Sequence, residues 1–267
     1  RKHTEPGRVF PEHHPKETCT YRLLLSLSKT MNALTYYRSS LSAESLKLKH
    51  TFSLWLSILA PCALISMYVI AFWSKGEHLV PEGANAWHRF AQQNFGIYTI
   101  LLMPIFIALL TSLTNGIEHK SNGWKHLYSL PLPKSTIYTA KATTVLGLVL
   151  LSNVVFVLAY LAGGMFLSFV RPDLGFEHMA GLDVVFIASL KLFLSTFVII
   201  ALQFWLSIRW SSFALSMGVG IVAIITVLVA MNWEYIHYYP FAYPFISIRA
   251  FPGGEQVRQV FTQEVLL

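Results

Sequence analysis

The sequence predicts an all-α polytopic membrane protein, on three observations. Of 267 residues, 54% are hydrophobic and only 12% are charged, where a soluble domain carries about 25% charged residues. The apolar residues fall in blocks too long for a globular core helix, and the mean hydropathy is +0.52. The stretches between the blocks are short and rich in Lys and Arg. The net charge of +7 therefore reads as topology charge on membrane loops. No run of five or more basic residues occurs, so the expected partner of this charge is the lipid bilayer and not nucleic acid.

Residues 1–30 do not resemble the rest: they are polar, with Pro6, Pro11 and Pro15. Their one apolar patch, Leu23 to Leu27, is too short for a signal-peptide core. They are expected to be a disordered or non-native N-terminal extension, with Met31 as the natural start. His13-His14 fits such a tail better than a metal site. Over 31–50, Leu34, Tyr37, Leu41 and Leu48 alternate with Arg38, Lys47 and Lys49. That reads either as an amphipathic helix at the membrane surface or as an ordinary basic flank.

Five spans follow, at about 51–73, 95–115, 142–170, 182–208 and 213–231. Pro61 and Pro104 lie inside the first two, which a membrane helix tolerates when neighbouring helices re-satisfy the freed carbonyl. Residues 74–94 read as a polar loop, 171–181 as a short loop and 209–212 as a tight turn. The region 232–267 begins with Trp233, Tyr235, Tyr238, Tyr239, Phe241, Tyr243 and Phe245, an interfacial aromatic belt. It ends on Val265, Leu266 and Leu267, which suggests a sixth span beyond residue 267. From Met31 onward, Arg38, Lys47, Lys49, Lys120, Lys125, Lys134, Lys141 and Arg209 collect on one side. Lys75, Arg89, Arg171, Arg249 and Arg258 collect on the other. The positive-inside rule puts the first set, with the N-terminus and the loop 116–141, in the cytoplasm.

That loop, GIEHKSNGWKHLYSLPLPKSTIYTAK, is a polar island between two apolar runs. It sets four lysines against one acid, Glu118. Trp124, Leu127 and Tyr128 fall at i, i+3, i+4, one side of a helix. Ser121-Asn122-Gly123 offers a start, and Pro131 and Pro133 a stop.

The usual catalytic patterns are missing. Pro133-Lys134-Ser135-Thr136 has the end of a phosphate-binding loop but not its glycines, so this chain is not expected to hydrolyse ATP by such a loop. There is no HExxH, no GxSxG and no carboxylate pair inside a span. Lys191, within the fourth span, either snorkels to the outer headgroups or touches a substrate or lipid. His119 and His126 could share a helix face but lack a third ligand, so no metal is expected. In the fifth span Ala214 with Gly218, and Ser216 with Gly220, are small-xxx-small pairs suited to helix packing or to a subunit interface. Gly163-Gly164 reads as a packing or bending point.

The surface helix, first span, outer loop and second span lead into a segment of form E-x4-G-W-K-x-L-x-x-L-P-x-P-K-x3-Y-x2-K. It is carried here by Glu118, Gly123, Trp124, Lys125, Leu127, Leu130, Pro131, Pro133, Lys134, Tyr138 and Lys141. Together these resemble the permease subunits of ABC-2-type exporters, particularly the lantibiotic-immunity and bacitracin-resistance branch. The resemblance implies an ABC-2-type (type V exporter-like) transmembrane domain, with 31–50 as its connecting helix. It implies an ATPase-coupling loop carrying Glu118, Gly123, Trp124, Lys125, Leu127, Tyr128, Leu130 and Pro131. It also implies a second permease subunit, same or related, and a cytoplasmic ABC ATPase that binds the ATP and Mg; no cofactor is expected on this chain. The expected function is export of an amphipathic substrate (peptide antibiotic, lipid or drug) across the bacterial inner membrane. Two alternatives stay open: a non-exporting component of a motility or secretion complex on the same fold, and an integral membrane lipid-modifying enzyme.

Overall fold

The computed structural model describes residues 34–48, 51–81, 84–121, 123–129, 133–176 and 182–249, and everything of note in it is helical. The expectations for 1–30, for the tail 250–267 and for Leu130 and Pro131 lie outside the described residues. Helix α1 covers 34–48. It is followed by α2 (Phe52–Leu79), α3 (Ala86–Ile97), α4 (Met103–Lys120), α5 (Gly123–Ser129), α6 (Lys134–Val170), α7 (Leu182–Arg209), α8 (Phe213–Val229) and α9 (Tyr243–Arg249).

Four segments are long and apolar enough to cross a bilayer: Phe52–Leu79, the continuous Ala86–Lys120, Lys134–Val170 and Leu182–Arg209. The apolar α8 has 17 residues, about 25 Å of helix. The loop expected over 74–94 is largely helix. α2 runs on to Leu79 through a kink at Lys75 (φ −133°, ψ 25°), and α3 starts at Ala86, where the Asn85 side chain accepts from the His88 amide. α3 passes into α4 through a π-turn, Tyr98–Leu102. Pro104 sits directly behind that turn and cannot donate a backbone bond, so the ladder widens there and does not break.

The core lies between α2, α4, α6 and α7. At the end far from α5, Phe72, Trp87, Phe90, Tyr160 and Phe176 cluster, mostly edge to face, with Phe72–Phe90 centroids 5.3 Å apart and Trp87–Phe176 5.8 Å apart, while Phe90 stacks on Tyr160. Trp87 Nε1 donates to the Phe176 carbonyl at 2.8 Å, and Tyr160 Oη to the Trp87 carbonyl at 3.1 Å. Arg171 closes this end: it donates to the Trp73 carbonyl at 2.7 Å and pairs with Asp173 at 2.7 Å and Glu77 at 3.2 Å. The Arg171 guanidinium holds the Asp173 carboxyl below its ordinary range. The aromatic stretch after α8 forms two 3-10 turns and α9. It buries Ile236, Phe241, Ala242 and Phe245, so part of it packs as a cap on the bundle.

Gly163 and Gly164 are a packing point. A Cβ on Gly164 would stand 2.3 Å from Trp87 Cη2, and one on Gly163 would stand 2.8 Å from Val69 Cγ2. Trp87 cannot turn away without breaking its bond to Phe176. Gly164→Val is therefore expected to cost about 1–3 kcal/mol by overpacking. A thermal melt of the purified protein in detergent that matched wild type would contradict this.

Polar groups stitch the spans together. Asn115 Nδ2 donates to Ser207 Oγ at 2.7 Å, Ser112 Oγ to Ser216 Oγ at 3.1 Å and Gln203 Nε2 to the Ser216 carbonyl at 2.8 Å. Between α6 and α7, Asn153 Nδ2 donates to the Ser189 carbonyl at 3.1 Å and to its hydroxyl at 2.8 Å. Inside a bilayer such bonds contribute about 0.6 kcal/mol each, and they set which helix faces which.

Candidate coupling site

The polar island folds as the sequence suggests at its centre: Gly123–Ser129 form a short helix, between the end of α4 and the start of α6. Gly123 permits the tight entry. A Cβ there would lie 3.0 Å from Ser121 Oγ and 3.4 Å from Glu118 Cα, so the chain turns against the last turn of α4.

What holds this helix in place is a group of four charges from three separate elements, three of them buried and the fourth, Lys47, half-buried. Lys141, fully buried in the second turn of α6, stands 3.0 Å from Glu44 Oε2 of α1 and 2.9 Å from Glu118 Oε1 of α4. Lys47 of α1 stands 2.7 Å from Glu44 Oε1 and 2.7 Å from Glu118 Oε1. Two carboxylates and two ammoniums balance, which is the condition under which ions tolerate burial. Burial alone would pull the Lys47 ammonium down, but the hydrogen bonds it donates to Glu118 and Glu44 outweigh this and hold it above its ordinary 10.5.

Trp124 roofs the group. Its ring lies 5.9 Å from Lys141 Nζ and stacks on Tyr128 at 5.7 Å. It also meets Tyr138 at 6.0 Å and His119 at 5.8 Å. His119 Nε2 donates to the Ser207 carbonyl at 3.0 Å, which ties the same corner to α7. The Tyr128 and Tyr138 hydroxyls are hydrogen-bonded to each other, and Lys134 lies 5.3 Å over the Tyr128 ring. Tyr37 Oη of α1 donates to Thr143 Oγ1 of α6 at 2.8 Å. The α1 face of Tyr37, Leu41, Glu44 and Leu48 thus rests on the bundle, while Leu34 points outward.

The candidate residues therefore divide. Glu118 and Gly123 are internal to the corner, and Trp124 and Leu127 are half-buried. Lys125, His126, Tyr128 and Ser129 are exposed. The apolar side chain at Trp124 is engaged by its own chain, and the outward surface of α5 is polar with one tyrosine. Lys141 closes the sequence motif and Lys47 lies in the predicted surface helix, but neither they nor Glu44 were named as site residues. The available signal was Glu44 and Lys47 three apart on one helical face, with a lysine just inside an apolar block.

The other candidates lie elsewhere. Lys191 is on the exposed flank of α7. The two small-residue pairs of α8 part company. Ser216 and Gly220 face the bundle, where a Cβ on Gly220 would meet Ala108 Cβ and Gln203 Nε2, each at 2.8 Å; around Gly218 the space is open. Ala214 is exposed with it. Gly220→Val is expected to lower the melting temperature, and Gly218→Val to leave it within experimental error. Equal destabilisation by the two would contradict this arrangement.

The described residues thus form an all-helical domain with four long apolar segments and a short polar helix, α5, between two of them. The family model described as ABC-2 family transporter protein matches residues 40–227. The chain belongs to this family and is a multi-pass membrane permease of the ABC-2 type. No curated protein and no solved structure matches it.

Proposed function

We propose that the chain is the permease subunit of an ATP-driven exporter, with α5 as the coupling helix that a cytoplasmic ABC ATPase grips. The observation that carries this is α5 itself. It is a seven-residue helix with no buried residue, yet it is pinned at its root by a group of four charges, three of them buried. A helix used only to connect two spans has no need of such a mounting. Its outward residues Lys125, His126, Tyr128 and Ser129 suit a docking groove with acidic and aromatic lining. ATP and Mg reside in the partner. Two permease subunits, the same or related, complete the transporter; with α8 as a fifth span, α1 and α5 lie on the cytoplasmic side of a bacterial inner membrane.

The substrate class is an amphipathic peptide, lipid or drug. In support, the described spans offer hydroxyls and amides along their interior, while the buried charges Glu118 and Lys141 gather at one end. An open groove of about 290 Å³ on the outer surface between α6 and α7 is lined by Leu150, Val154, Leu158, Phe186 and Phe193, with Asn153 and Ser189 at its floor. Such a surface accepts an apolar body with a few polar groups.

The test is co-expression of the full chain with the ATPase encoded beside it, followed by purification through a tag on the permease. A stoichiometric complex with ATP turnover above that of the isolated ATPase is expected. An ATPase that neither co-purifies nor changes its rate would refute the coupling role.

A further inference from the structure

We propose that Lys141 is the positioning residue of the coupling machinery. Bridged to Glu44 and Glu118, it makes α1, the α4–α5 corner and the start of α6 move as one body. A push on α5 is then delivered along α6 to the far end of the bundle. This rests on the reading of α5 as the coupling helix.

Four observations carry it. The partners are far apart in sequence: Lys141 and Glu44 by 97 positions, Lys47 and Glu118 by 71. The group therefore joins elements that the backbone does not hold together. Each carboxylate serves both cations, Glu44 through Oε2 and Oε1 and Glu118 through Oε1 to both. Neither α4 nor α6 can leave without stranding a charge, while α1, which brings one charge of each sign, adds a second cation and a second carboxylate to the Glu118–Lys141 pair. α6 is one unbroken 37-residue helix with a regular N-terminal turn, so a displacement at Lys141 reaches Val170 without passing a hinge. Finally, α5 has no buried side chain of its own; without the charged corner and the Trp124 roof, it could tilt on its flanking turns and absorb the push.

The experiment uses the full chain in complex with its ATPase, in a background lacking Cys19 and Cys62. Spin labels report two distances. The near pair, Ser45 on α1 and Thr139 on α6, reads the rigidity of the corner. The far pair, Phe169 on α6 and Val229 on α8, reads the output. Both are measured without nucleotide and after trapping with ADP and vanadate. In the wild-type complex the near distance is expected to hold and the far distance to change.

Two charge-balanced doubles break the group without stranding an ion: Glu118→Gln with Lys141→Met, and Glu44→Gln with Lys47→Met. In each, the near distance is expected to broaden and the far change to fall by about half or more, while the complex still assembles. Lys141→Arg, which keeps the charge, is expected to retain the far change. Wild-type output in both doubles would overturn the proposal. So would a near distance that moves on trapping in wild type, or loss of assembly in both doubles, which would make the group a folding requirement only. Failure of the wild-type chain to assemble with the ATPase is a different result and falls on the coupling-helix reading itself.

Discussion

Lys141→Met is expected to be among the most damaging single substitutions in this protein. Lys141 is fully exposed to no solvent and faces two carboxylates at 3.0 and 2.9 Å. Removing its charge leaves Glu44 and Glu118, both nearly buried, with only Lys47 between them. Breaking a buried ion group by deleting one member costs about 3–5 kcal/mol, because the remaining charge is uncompensated. The same source of cost predicts the remedy. Glu118→Gln added to Lys141→Met restores neutrality, leaving Glu44 paired with Lys47 at 2.7 Å. The double variant is expected to recover most of the lost stability, since neutral replacements of a buried ion group are often tolerated. Thermal unfolding in detergent of the wild type, the single and the double variant decides it. A single variant as stable as wild type would mean that water reaches the corner and screens it. A double variant no better than the single would mean that the charges act independently.

The second large effect separates the two faces of α5. Trp124→Asp places a carboxylate beside Glu118 and removes the ring over Lys141. It is expected to disturb the corner itself and to reduce both thermal stability and ATPase association. Lys125→Glu with Tyr128→Ala alters only the exposed face. It is expected to leave stability within about 0.5 kcal/mol of wild type, as surface changes do, while lowering co-purification of the ATPase by about tenfold or more, the size of effect seen when docking anchors are removed. The discriminating measurement pairs a melting curve with a pull-down on the same preparations. If Trp124→Asp kept its stability and lost only the ATPase, Trp124 would be an outward anchor, as its helical spacing with Leu127 and Tyr128 suggests, and not the inward roof.

The membrane class, the helical architecture and the position of the short polar helix α5 were legible in the sequence for one physical reason. Burial in lipid demands long apolar runs, and polar interruptions of such runs mark the loops. The island from Gly116 to Lys141 stood out because it broke that pattern. Chain-local signals also located the small helix within it: Gly123 at its entry and Pro133 beyond its end. The extent of α2 and α3 was less legible. Lys75, Glu77, His78 and Arg89 read as loop residues, but helices continue past the apolar block wherever their polar residues can reach an interface or a partner, as Glu77 does with Arg171.

By itself, then, the sequence determined that this is a helical membrane protein and that the polar segment 116–141 interrupts its apolar runs. Tertiary structure alone decided which face of that segment is free. Periodicity groups Trp124 with Leu127 and Tyr128 but does not say whether the group looks in or out. That depends on Tyr138 and Lys141, which α6 brings alongside. The same holds for Glu44, Lys47, Glu118 and Lys141. Each is an unremarkable charge near a span end, and only the packing of α1, α4 and α6 brings them within 3.0 Å of one another. A neutral cluster is formed by that convergence, and no local pattern encodes it.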